Sequence, residues 1–146
     1  MTDLCKRDWL FLLLRHKPLD RIRLMKSLFL IWHRSGRKLK GFYEFTPYRY
    51  GPCSFELYRE LEHLEQQHFV SQPPHGVVRW ASYYLTPAGE NEASRVASKA
   101  DARTVQFVGS IAREVSSLGF HALLRKVYTE APDFASRTVL SWEPKQ

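Results

Sequence analysis

The chain has 146 residues and a formal net charge of +7, with 44% hydrophobic and 14% aromatic residues. That length suits about one domain, and that apolar content excludes a disordered tail. The two cysteines, Cys5 and Cys53, form no CxxC pair, which excludes a disulfide framework and points to a reducing, cytoplasmic compartment.

Residues Asp3 to Arg15 read as a first helix, with Leu4, Trp9, Leu10, Leu12, Leu13 and Leu14 apolar. Its run WLFLLL falls far short of the roughly 18 residues that a membrane helix needs. Asp3 and Asp8 and the lack of a small-residue cleavage site argue against a signal peptide. KPLD breaks this helix, and Asp20 stands where an N-cap belongs. The second helix, DRIRLMKSLFLIWHRSG, ends at Gly36, with Leu24, Leu28, Ile31 and Trp32 at core spacing. RKLKG is a basic loop, and FYEFTPYRY alternates as an extended segment or short strand before Gly51-Pro52. Ser54 is the expected cap of a third helix, with Glu56 in its first turn. Leu57, Leu61 and Leu64 share one face of that helix, with Tyr58 beside them. HFVS and VVRWASYYL read as two strands of a hairpin turned by QPPHG. Thr86-Pro87 caps and opens a polar helix that runs to about Lys99. Ala102 to Leu118 and FHALLRKVYTEAP follow as helices separated by Gly119, and DFASRTVLSW adds a short helical turn. The fold class is mainly α with a small β-hairpin.

Two stretches carry family resemblances. The order LEHLEQQHFV, hairpin, YYLTPAGENEA resembles winged-helix domains of the PadR and MarR sort, with Leu85, Thr86 and Gly89 at their LT-x-x-G turn. RLMKSLFLIWHRSG followed by FTPYRYGPCSFELYRELEHLE is similar to the Panacea (SocA-like) antitoxin domain and the YwgA-like proteins. Arg23, Leu24, Met25 and Lys26 stand at that group's K-L-Q-K pattern, with Met25 departing from its Gln. Tyr50, Gly51, Pro52, Leu57 and Tyr58 stand at its aromatic-Tyr-Gly-Pro turn and short helix, and LLRKVYTEAPDF looks like its late helix. These resemblances imply a winged-helix-like core over residues 1–100 with a helical extension over 101–146 packed on it as one unit. The Panacea and YwgA-like resemblance also implies a toxin-neutralising or adaptor role in a mobile-element or defence setting.

Charge separates the two functions that such a fold suggests. Residues 1–41 hold eleven Lys and Arg against three Asp, whereas residues 42–95 hold four Arg against seven Glu. The third helix, which would enter a DNA groove, is therefore acidic, and each Glu there would be desolvated beside phosphate. The first expectation is a non-catalytic module that binds a partner protein, a toxin or effector, through Tyr48, Tyr50, Glu56, Tyr58, Glu60 and Glu62. The alternative is a DNA-binding regulator using Arg21, Arg23, Arg37, Lys38, Lys40 and, on the hairpin, Arg79. A plainer reading makes Arg21, Arg23, Lys26 and Arg34 the solvated face of the second helix, paired with Glu60, Glu62 or Glu65. Of the aromatics, Phe45 and Tyr50 are expected inside, and Tyr43 and Tyr48 outside.

No HExxH, paired-cysteine zinc pattern, glycine-rich phosphate loop or GxSxG occurs, so no metal, cofactor or catalytic residue is assigned. Cys53 precedes a helix, where a thiolate would be stabilised, but without a base partner it reads as packing beneath the turn. A homodimer through residues 102–128 stays open.

Overall fold

The structure, a computed structural model, describes residues 4–73 and 81–139. Helix α1 (Lys6–Leu14) is its axis, because every residue from Asp8 to Leu14 is buried. Such a helix can persist only if neighbours cover it all round. Helices α2 (Arg21–Arg34), α4 (Pro87–Lys99) and α5 (Ala102–Ser116) do so. The helix begins later than Asp3, which lies outside the described residues, because Cys5 takes the N-cap position. The Asp8 carboxylate accepts from the Cys5 N–H at 3.1 Å and pairs with Lys99 Nζ at 2.9 Å, which satisfies a charge only 1% exposed.

The segment KPLD does more than break the chain. Leu19–Asp20 forms strand β1, and Asp20 also caps α2 by accepting from the Arg23 N–H at 2.9 Å. Strand β1 pairs antiparallel with β5 (Ser82–Leu85), which pairs on its other side with β4 (Val70–Ser71). The small hairpin expected from the sequence is thus the larger part of a three-stranded sheet. Its turn, with His75 and Arg79, lies outside the described residues. A two-residue strand such as β1 is invisible to periodicity, since it needs its partner in order to exist.

A second hairpin replaces the expected single extended segment. Strands β2 (Thr46–Tyr48) and β3 (Gly51–Cys53) pair around Arg49-Tyr50, so Gly51-Pro52 belongs to the second strand and does not terminate the first. Helix α3 (Phe55–Gln66) follows and buries Leu57, Leu61 and Leu64. Ser54 holds its N-cap position without a capping bond from its side chain. Tyr43 is 2% exposed, contrary to its expected place outside, because its ring packs edge-on against Phe42 and its hydroxyl donates to the Lys6 carbonyl. Phe45 and Tyr50 are half-buried.

Helix α6 (Phe120–Glu130) and a 3-10 turn (Pro132–Ala135) close the chain over α2 and the second hairpin. The fold is mainly helical with a small amount of antiparallel sheet. Among the described residues no helix is long and apolar enough to cross a membrane. Arg34 is half-buried and does not meet the α3 glutamates. Its guanidinium donates two bonds to Glu114, at 2.9 and 2.8 Å, and two to Glu130, at 3.1 and 2.6 Å, and so joins α2, α5 and α6. Lys126 adds a further bond to Glu114 at 2.8 Å.

The LT-x-x-G turn has a steric origin. The Thr86 hydroxyl accepts from the Gly89 N–H at 3.1 Å and donates to the His68 carbonyl at 2.5 Å. This draws the first turn of α4 onto the Phe69 carbonyl, where a Cβ on Gly89 would collide with backbone. Replacing a helical Gly by Ala ordinarily stabilises by up to about 1 kcal/mol. Here Gly89→Ala should instead destabilise by about 2 kcal/mol, because the obstacle is backbone and cannot rotate away. A lowered denaturant midpoint at unchanged slope checks this.

The Arg34 clamp makes an acid-stability prediction. Bonds from Arg34, then Lys126, outweigh burial and hold the Glu114 carboxyl at about 2, below its ordinary 4.5. A depressed carboxyl contributes stability above its unfolded value that is lost as pH falls from about 4.5 towards 2. Glu114→Gln should therefore cost about 2 kcal/mol at neutral pH and flatten the stability slope across that acid window, as urea titrations at several pH values would show.

Candidate functional site

The second hairpin is fixed from both sides. Gly51 has φ +89°, which L side chains resist, and a Cβ on it would meet Tyr128 Cε1 at 3.0 Å. The Tyr128 hydroxyl donates to Thr138 Oγ1 at 2.8 Å, and Thr138 Oγ1 and the Val139 N–H donate to the Arg49 carbonyl at 3.2 and 3.0 Å. The C-terminal segment thus straps the hairpin tip. From below, Lys26 Nζ donates to the Pro52 carbonyl at 3.2 Å. Ser54, just beyond, donates its N–H to Met25 Sδ at 3.1 Å.

Lys26 is 3% exposed, which corrects its expected place on a solvated face. The sequence did hold a signal for this. From Leu24 to Trp32 only Lys26 and Ser27 interrupt the apolar run, too few polar positions for a wet face. Burial pulls the Lys26 amine down to about 8, and Cys53 works weakly against that shift. Burial pushes the Cys53 thiol up, which opposes nucleophilic activation. A hydrogen bond with the Tyr58 hydroxyl and the nearby Lys26 only partly counter it. Burial also raises the Tyr58 phenol, with Arg21 acting the other way.

Between α2, the hairpin and α3 lies a cavity of about 90 Å³. Helix α2 lines it with Arg21, Met25 and Lys26, the hairpin with Tyr48, Tyr50 and Cys53, and α3 with Tyr58. The Arg21 guanidinium lies 4.7 Å over the Tyr58 ring. Outside the cavity runs a continuous aromatic surface. Tyr48 and Phe55 meet edge-to-face at 5.4 Å, and Phe55 and Tyr58 at 6.3 Å. These three are 38%, 54% and 37% exposed, an unusual gathering of large apolar side chains in water. Phe55 was not among the residues expected from sequence. As the first helical residue it sits outside the Leu57, Leu61, Leu64 stripe, and only the hairpin brings Tyr48 to it.

The residues expected to act together divide into groups. Tyr48 and Tyr58 belong to the aromatic surface, whereas Tyr50 is half-buried against Phe120 at 5.6 Å. Glu56 pairs with Lys6 and accepts from the Glu44 N–H, so it ties α3 to α1. Glu60 is half-buried, and Glu62 is exposed. Of the cationic set, Arg23 is engaged by Asp20 at 2.6 Å and by the Leu118 carbonyl at 2.8 Å. Arg37 pairs with Asp133 at 2.9 Å and covers Trp32 and Phe134 at 5.1 and 5.2 Å. Lys38 and Lys40 are exposed, beyond the C-terminal end of α2, with Arg21 at its N-terminal end. A helix of that length separates them by about 20 Å, so they make no single stripe. Arg79 lies outside the described residues. Among the described residues no three His, Cys, Asp or Glu side chains gather to hold a metal ion.

Comparison with protein-family models, with curated proteins and with solved structures finds no match to this chain. The geometry of the site therefore carries the functional reading.

The buried lysine has a measurable consequence. A lysine whose folded value lies near 8, against 10.5 unfolded, penalises folding while it is charged, and stability should rise as pH climbs between those values. Lys26→Met should abolish that alkaline rise and be more stable than the parent at neutral pH, by up to about 3 kcal/mol. Chemical denaturation of both proteins from pH 7 to 10.5 tests it, and parallel curves would show that the amine is not desolvated.

Proposed function

We propose that the protein is a non-catalytic interaction module, antitoxin-like or adaptor-like, that captures a partner protein through the surface around Tyr48, Phe55 and Tyr58. The carrying observation is that surface itself: three exposed aromatic side chains in mutual contact, flanked by Arg21 over Tyr58 and Arg49 at 5.8 Å over Tyr48. Aromatic residues and Arg dominate binding energy at protein interfaces, and rigid rings lose little entropy on binding. Exposed Glu62 and Glu65 on the same helix supply a charged rim that selects among partners. The likeness to the Panacea and YwgA-like group agrees with this role. The two stretches that carry it are joined in space by the bond from Lys26 to the Pro52 carbonyl. On that reading the protein works in the cytoplasm, in a mobile-element or defence setting.

A second reading, a winged-helix DNA-binding regulator, draws on the order α1, β1, α2, α3, β4, β5, which the β2-β3 hairpin interrupts between α2 and α3, and on the sheet order β1-β5-β4. Its charge is weaker than the sequence suggests, since Arg23 and Arg37 are held in ion pairs and α3 presents Phe55, Tyr58 and Glu62 outward.

Affinity capture from cells carrying the gene separates the two readings. The parent should retain a partner that Tyr48→Ala and Phe55→Ala each release, with losses on the order of 2 kcal/mol, about 30-fold in affinity. Capture indifferent to both substitutions would overturn the module reading. Binding of a labelled random-sequence DNA duplex that weakens steeply with salt would favour the regulator.

A further inference from the structure

We infer that the cavity beneath the second hairpin is a socket for a carboxylate, and that its occupant is an Asp or Glu side chain presented by the captured partner. This rests on the interaction-module reading and names the chemistry that the surface selects. The floor of the socket is Lys26, whose ammonium carries three N–H donors. Among the described residues the Pro52 carbonyl, at 3.2 Å, is the one acceptor it has. A buried cation with unfilled donors is costly unless something anionic or strongly accepting meets it. The residues that line the cavity include no acidic group. A second cation, Arg21, stands at its wall, where it bonds to the Tyr58 and Tyr83 phenols and to no carboxylate among the described residues. A carboxylate would thus meet two charged donors, and charge-assisted hydrogen bonds are the strong ones.

Size and walls narrow the class. A water needs about 10–15 Å³ of such space, so the cavity of about 90 Å³ has room for a carboxylate on a short stem. Met25 and the Tyr48 and Tyr58 rings suit the methylenes of that stem. Tyr48 and Tyr58 also belong to the exposed aromatic surface, so a partner lying on that surface has the socket within reach of its side chains. Aromatic contact would supply affinity, and the socket would reject partners lacking the acid, because Lys26 would be left unpaired.

The socket is testable without the partner. The probe is N-acetyl-aspartate amide, titrated at constant ionic strength into protein labelled at the lysine side chains and followed by NMR. The Lys26 signal should move with a dissociation constant in the millimolar range, and Arg21→Gln should weaken binding about tenfold. Lys26→Met should abolish the accompanying shifts in the Tyr58 ring. Affinity should fall by up to tenfold per pH unit above about 8, where free Lys26 loses its proton. The other titratable groups that face it are Arg21, Tyr48, Tyr50, Cys53 and Tyr58, with Tyr128 behind Gly51. Burial raises Cys53, Tyr58 and Tyr128, so these oppose no anion below their own titration. An unmoved Lys26 signal would overturn the socket, and tighter binding of inorganic phosphate than of the aspartate probe would overturn its carboxylate class. Partner capture unaffected by Lys26→Met but lost in Phe55→Ala would sink the socket while leaving the module reading intact.

Discussion

The contact on which most of the architecture depends is the four-bond grip of Arg34 on Glu114 and Glu130. Two carboxylates from separate helices converge on one planar guanidinium, a geometry that lysine could not reproduce. By fixing α5 and α6 against α2, it sets where Tyr128 stands. Tyr128 in turn fills the space beside Gly51, whose φ of +89° already favours glycine, and, through Thr138, holds the hairpin tip. The aromatic surface exists only because that hairpin carries Tyr48 to Phe55. A charged contact distant from the surface therefore shapes it, through a chain of packed residues and not through any flexible linkage.

Lys26 shows the opposite economy. Arg34 is satisfied by protein groups, whereas Lys26 is buried more deeply with a single carbonyl for company. Packing alone would be served better by Met or Leu at that position, since an apolar side chain of similar volume carries no desolvation cost. A costly group kept inside a small cavity beside an exposed surface fits a binding role better than a stabilising one. The same contrast holds for the hairpin, which is strapped by the C-terminal segment on one side and left aromatic and open on the other.

Much of the fold was legible in the sequence, and the reasons are local. Asp20 and Thr86 cap helices because their side chains reach an N–H three residues on, and Leu57, Leu61 and Leu64 share a face because of helical period alone. The elements that escaped are those with no local cause. Strand β1 exists through Tyr83 and Ser82, more than sixty residues away, and the tip of the second hairpin is held by Thr138 and Val139, about ninety residues on. Of the candidate site, Tyr48 and Tyr58 could be named from the sequence, since each lies off an apolar stripe. Strict alternation would set Tyr43 opposite Tyr48 and beside Phe45, but residues 42–45 form no strand, and the adjacent Phe42 and Tyr43 are both buried. Glu56 and Arg37 looked free only because their partners, Lys6 and Asp133, are remote in sequence.

That last point bears on how a basic chain should be read. A net charge of +7 suggests a surface ready for phosphate, yet Arg23, Arg34 and Arg37 are occupied in holding the fold, and Lys26 is inside it. Of the exposed cations that remain, Lys38 and Lys40 lie beyond the opposite end of α2 from Arg21, and α3 itself offers Arg59 against four glutamates. Electrostatic attraction to a polyanion depends on cations that are both solvated and adjacent, because only those release counterions together. Protein recognition asks for less charge and more shape: a rigid helix start, three rings in contact and a cation within a short cavity. The observed arrangement meets the second requirement with residues that elements on both sides hold in place, and this is the physical ground for placing partner capture ahead of DNA binding.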